Sequence, residues 1–181
     1  MVYIILGIIV VLIILWAIGT YNSFVTLLER VENAKSQIAI QIESRWDAIK
    51  SLIDATKKYS AHEAETLESV TAQRTSISRN SSIEEMEEAE AQIGQVVGRL
   101  IAVSEAYPDL KASTVYQTAM KNIDKYEDNV RQSRMIYNDT VTRYNRKIRV
   151  FPASILANMF HFVSRSYFEG TESKQEMPSW D

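Results

Sequence analysis

The chain contains no cysteine. That absence removes disulfide frameworks, thiolate catalysis and Cys-ligated zinc together, while leaving the compartment open. Glycine and proline are scarce, at five and three residues. So few turn formers suit an all-α protein better than a sheet with many reversals. There are two histidines, His62 and His161. His62-Glu63 does not open an H-E-x-x-H pair, because Thr66 occupies the second histidine's place. His161 has no carboxylate four residues away on either side. No glycine-rich phosphate loop, nucleophile elbow or carboxylate constellation is present, and Glu105 stands alone beside Pro108. The expectation is a non-enzyme with no cofactor and no metal. Strong positive charge is also missing, with a net charge of -3. A nucleic-acid binder would carry a basic face, so nucleic acid is not an expected partner.

What is present begins with Val2–Gly19, VYIILGIIVVLIILWAIG, a run without charge. About 18 apolar residues suffice to cross a hydrocarbon core of about 30 Å as a helix. Tyr3 at one end, and Trp16 and Tyr21 at the other, sit where interfacial rings belong. A signal peptide would need a basic leader and a small-residue cleavage site, and neither is found. Residues 1–20 therefore read as a single-pass transmembrane anchor in contact with the lipid bilayer. The first bases, Arg30, Lys35 and Arg45, all lie beyond the span. The positive-inside rule then puts the N-terminus outside and the helical domain in the cytoplasm.

Beyond the anchor, apolar positions recur in steps of three and four: Val25, Leu28, Val31, Ala34, Ile38, Ile42, Trp46, Ile49, Leu52, Ile53, Thr56, Leu67 and Val70. This spacing predicts one helix from Tyr21 to about Ile77, roughly 85 Å long at 1.5 Å per residue. The polar cluster Ser76–Ser82 breaks it and ends in a capping box, Ser82 with Glu85 or Ser81 with Glu84. Helix two is expected over Ile83–Ala106, with the stripe Met86, Ala89, Ile93, Val97, Leu100 and Ile101. Gly94 and Gly98, four apart, would let another backbone approach closely. Pro108 ends that helix. A third runs from about Ser113 to Arg149, and a short fourth from about Ala153 to Tyr167. The tail, residues 170–181, is polar and expected to be flexible.

Two features bear on assembly. Glu84, Glu85, Glu87, Glu88 and Glu90 crowd the start of helix two, while Arg143, Arg146, Lys147 and Arg149 crowd the end of helix three. Each set suits its own helix dipole. In an antiparallel, elongated bundle the two would meet, with Arg74 and Arg79 beside them. The first helix also outruns its short return helix. The stripe Val25, Leu28, Val31 and Ile38 would then stay exposed in a monomer and drive a homo-oligomeric collar, unless helix three or the terminal helix covers it. Tyr137-Asn138 and Tyr144-Asn145, seven apart, lie on one helix face. They read as core polar pairs that continue an apolar stripe, or else as the wall of a polar ligand groove.

The segments YNSFV, SQIAIQIESRWDAIKSLIDATKKYSAHE, LIAVSEAYPDLKAS and RMIYNDTVTRYNRKIRVFPASILA together resemble the LemA family of bacterial membrane proteins. The resemblance covers about Tyr21 to Glu169. It implies an N-terminal anchor in the bacterial inner membrane and a four-helix domain over residues 21–169, with three long helices and a short C-terminal one. It implies no catalytic residues. Two places depart from the family's pattern. Lys35 and Ala39 replace Trp and Asp in Ala-Trp-Ser-Gln-Ile-Asp, and Lys50 stands where a proline is common. The missing proline implies a straighter first helix. The function expected is a membrane-anchored, coiled-coil-like scaffold acting by self-association or by gathering partner proteins at the bilayer. The alternatives are an adaptor for a membrane protease or signalling kinase, and a ligand sensor with a polar pocket between helices.

Overall fold

The structure is a computed structural model that describes residues 1–72 and 77–169. Arg74, part of the Ser76–Ser82 cluster, the Val70 side chain and the tail from Gly170 lie outside the described residues. Among the described residues six helices succeed one another: α1 Val2–Thr56, α2 Ala61–Ala72, α3 Ile83–Ala106, α4 Pro108–Ala112, α5 Thr114–Arg149 and α6 Ala153–Met159. No strand occurs among the described residues. The chain divides into two compact units. One joins Met1–Ala34 with Ile136–Tyr167; the other joins Lys35–Met135 with the chain from Phe168. Within α1 the division falls after Ala34.

The expected single helix to Ile77 is two helices. α1 stops at Thr56, whose carbonyl accepts from the N–H groups of Tyr59 and Ser60. α2 then starts on a cap, with the Glu63 N–H donating to Ser60 Oγ at 3.3 Å. Capping satisfies backbone donors that a helix start leaves without intrahelical partners. α3 begins on the expected device. Ser82 Oγ accepts from the Glu85 N–H at 3.1 Å, and the Glu85 carboxylate accepts from the Ser82 N–H at 2.8 Å. The alternative pairing through Ser81 is not made, because its hydroxyl accepts from the Ser78 N–H. Pro108 does not simply end α3. It opens α4, as suits a residue whose missing N–H costs nothing in a first turn.

In the second unit the core is built at helical period. Ile38, Ile42, Ile49 and Leu52 of α1 and Met86, Ala89, Ile93 and Val96 of α3 are wholly enclosed. Each of these buried Ile, Leu, Val and Met side chains contributes about 1.5–3 kcal/mol relative to exposure. The α3 stripe differs from the expected one. Val96 and Val103 are buried, while Ile101 is exposed. Positions 86, 89, 93, 96, 100 and 103 alternate steps of three and four, a 3.5-residue repeat that keeps one seam facing its neighbours. The seam leaves Gly94 and Gly98 on the outer face. A Cβ built at either would meet nothing within 4 Å, so the expected close backbone approach is absent.

The exposed stripe expected on α1 is corrected as well. Val31 and Ile38 are buried at 2% and 0% exposure, and Val25 and Leu28 are half-buried. The chain's own residues cover Val31 and Ile38 and part of Val25 and Leu28.

Candidate functional site

The first unit carries the apolar run, and none of its membrane-length window is buried within the protein. Tyr3 and Trp16 are exposed on it at 90% and 42%. Where the run ends, Tyr21 meets two rings of the C-terminal segment. Its ring lies 4.9 Å from Phe160 and 5.6 Å from Phe162, both edge-on. Phe24, fully buried, lies 5.0 Å from Phe162. Arg165 pairs with Glu32 at 3.4 Å. The residues after α6 thus track α1 upward, from Tyr21 to Phe24 to Glu32.

α6 ends at Met159, short of the expected Tyr167. His161 turns the chain at φ 58, and the residues after it form an extended strap. The Tyr-Asn residues hold this strap. Tyr144 Oη donates to the Val163 carbonyl at 2.9 Å, and Tyr137 Oη to the Ser166 carbonyl at 2.9 Å. Asn145 grips the Arg165 backbone twice, donating from Nδ2 to its carbonyl and accepting its N–H at Oδ1, both at 2.9 Å. Arg149 adds a bond to the Ser164 hydroxyl at 3.0 Å. Asn145 is 4% exposed, and a buried amide requires such partners. Burial also pushes the Tyr144 hydroxyl above its ordinary range, with Arg165 opposing. The polar face that could have lined a ligand groove is occupied by the protein's own backbone.

The second unit concentrates charge around Glu90. Arg45, 6% exposed, reaches Glu90 at 3.5 Å and Glu127 at 2.6 Å. Arg134 pairs with Glu90 from α5, and its guanidinium lies 4.5 Å over the Phe168 ring. Burial lifts the Glu90 carboxyl above the ordinary carboxylate range, against the opposing pull of Arg134 and Arg45. The Glu87 carboxylate accepts the Glu169 N–H at 2.7 Å. A cavity of about 370 Å³ beside this cluster is lined by Glu84, Glu87, Glu88, Glu90, Arg134 and Phe168. Glu90 takes Arg45 and Arg134, and Arg143 pairs with Asp139 one turn back at 2.9 Å. Among the described residues no group of three or more His, Asp or Glu side chains could hold a metal.

Sequence reasoning missed the strap and Arg45. A buried arginine inside an apolar stripe was the available signal, since an enclosed guanidinium demands carboxylates from other helices.

Comparison with known proteins gives consistent matches. The LemA family model matches residues 34–181. Protein LemA of Metamycoplasma hominis is 28% identical over 157 residues, covering 86% of this chain and 71% of the relative. Magnetosome protein MamQ 2 of Paramagnetospirillum magneticum is 25% identical over 187 residues, covering 89% of this chain and 66% of the relative. Magnetosome protein MamQ of Magnetospirillum gryphiswaldense is 24% identical over 174 residues, covering 82% and 64%. The chain thus spans about two thirds of the length of these MamQ proteins.

Proposed function

Since the chain belongs to the LemA family, we propose that it is a non-enzymatic scaffold, fixed to the inner membrane by Val2–Gly19 and working through self-association or partner recruitment at the bilayer. The observation that carries this reading is the apolar run, continuous in one helix with a folded body yet buried by none of it. Hydrocarbon is the solvent such a surface requires. The bases Arg30, Lys35 and Arg45 lie after the span, which favours a cytoplasmic body and an outer N-terminus.

The body is proposed to be an antiparallel helical bundle. Gln41 bonds Asn129, and Arg45, one turn further along α1, pairs with Glu127, further back on α5. That order supports opposed directions for the two helices. A scaffold reading is also favoured over a ligand sensor by the use of the polar side chains. Tyr137, Tyr144 and Asn145 hold the protein's own strap. With Val31 and Ile38 enclosed, self-association falls to surface other than the α1 stripe. The test is the mass of full-length protein extracted in mild detergent and, separately, purified in lipid nanodiscs with co-purifying proteins identified. An oligomer, or a stoichiometric membrane-protein partner, is expected. A monomer without partners in both environments would contradict the proposal.

A further inference from the structure

The residues around α6 leave a second apolar surface beside the span. Phe151, Ile155, Met159 and Phe160 are exposed at 76%, 59%, 58% and 48%. Residues four apart on a helix share a face, so Ile155 and Met159 project together, opposite the buried Leu156 and Ala157. A soluble protein seldom leaves such a patch to water.

Its depth is fixed by Tyr21. That residue lies two positions past the end of the apolar run, a rise of about 3 Å along the helix. The interfacial zone of a bilayer is about 5–7 Å thick on each side of the hydrocarbon. The Phe160 ring, 4.9 Å from the Tyr21 ring, falls within that zone. Charge points the same way. Arg146, Lys147 and Arg149 close α5, immediately before Phe151, and all three are exposed. An apolar face flanked by bases is the pattern of a segment lying in the headgroup region.

We propose that α6 and Phe151 form a second, interfacial membrane contact, with Ile155, Met159 and Phe160 inserted at the headgroup–acyl boundary and the closing bases of α5 among lipid phosphates. The contact rests on the reading of Val2–Gly19 as a span. It holds the first unit to the bilayer at two places instead of letting it swing from a single helix.

The absence of cysteine makes the test direct. Full-length protein carrying one cysteine at Ile155, Met159, Ile9 or Val115 is spin-labelled and reconstituted in vesicles of phosphatidylcholine and phosphatidylglycerol. Collision with oxygen, which partitions into lipid, is compared with collision with a water-soluble nickel chelate. Ile155→Cys and Met159→Cys are expected to show an oxygen-to-nickel ratio several-fold above Val115→Cys, whose site is 56% exposed on the other unit. Ile9→Cys should lie deeper still. A deep Ile9 label with Ile155 and Met159 labels matching Val115 would overturn the interfacial contact while leaving the span intact. An aqueous Ile9 label would overturn the span and this contact with it. Shielding of the α6 labels from both reagents would mean a protein cover, and would also overturn the proposal.

Discussion

Gly98 stands in the interior of α3 with open space where a side chain would be. Glycine there loses backbone entropy without any steric return. Gly98→Ala is therefore expected to stabilise the protein by about 1 kcal/mol, and Gly98→Leu to cost little packing energy. Thermal melting of both variants checks this; a large loss for the leucine variant would mean a neighbour sits on that face. Two glycines four apart read equally well as a close approach or as an outer face, and only the neighbouring helices decide. Asn145 is the opposite case. Asn145→Ala removes both polar contacts from the Arg165 backbone and leaves buried groups without them. A loss of about 1–3 kcal/mol is expected, with earlier protease cleavage between Phe162 and Glu169. Unchanged cleavage would show that the amide does not secure the strap. Glu90 supplies a pH dependence. A carboxyl raised by burial binds its proton more tightly when folded, so its contribution to stability falls as pH rises from the ordinary 4.5 through the folded value. Wild type should lose ground to Glu90→Gln across that window. Melting curves that stay parallel would contradict the assignment.

At the scale of the element, caps decide the boundaries. Ser60→Ala should destabilise by about 1 kcal/mol through lost capping of α2, measured by chemical denaturation beside Ser82→Ala as the reference cap. If Ser60→Ala is silent while Ser82→Ala is not, the break after Thr56 does not depend on that serine. Both starts carry Ser-x-x-Glu, at Ser60–Glu63 and Ser82–Glu85. The second is legible because a polar cluster precedes it. The first is hidden, since apolar spacing continues from Thr56 to Leu67 without a glycine or proline. α3 is legible at both ends, over Ile83–Ala106, and α5 nearly so. The α3 seam runs through Val96, one position from the expected Val97, because a strict helical period and a 3.5-residue period diverge over three turns. The early end of α6 is not legible at all. The stop is a local cap without the usual glycine: His161 takes φ 58, its N–H donates to the Asn158 carbonyl and the Phe162 N–H to the Ala157 carbonyl, and bonds from Tyr137, Tyr144 and Asn145 hold the residues beyond it.

For the whole molecule, the apolar run is the plainest signal in the sequence. It holds the same place in the structure, as the exposed first part of α1. What periodicity could not supply was the partner of each stripe. Val31 and Ile38 repeat like any amphipathic face, and only the folded chain shows them covered. The proposed function therefore depends on the membrane crossing more than on any seam of self-association. Site-directed labelling from the two sides of the membrane tests that crossing most directly. Single cysteines at Val2 and Val115, both exposed, are probed with a membrane-impermeant maleimide in spheroplasts and again after lysis. A crossing with a cytoplasmic body predicts that Val2→Cys is labelled in intact spheroplasts and Val115→Cys only after lysis. Labelling of both residues from the same side would contradict the crossing.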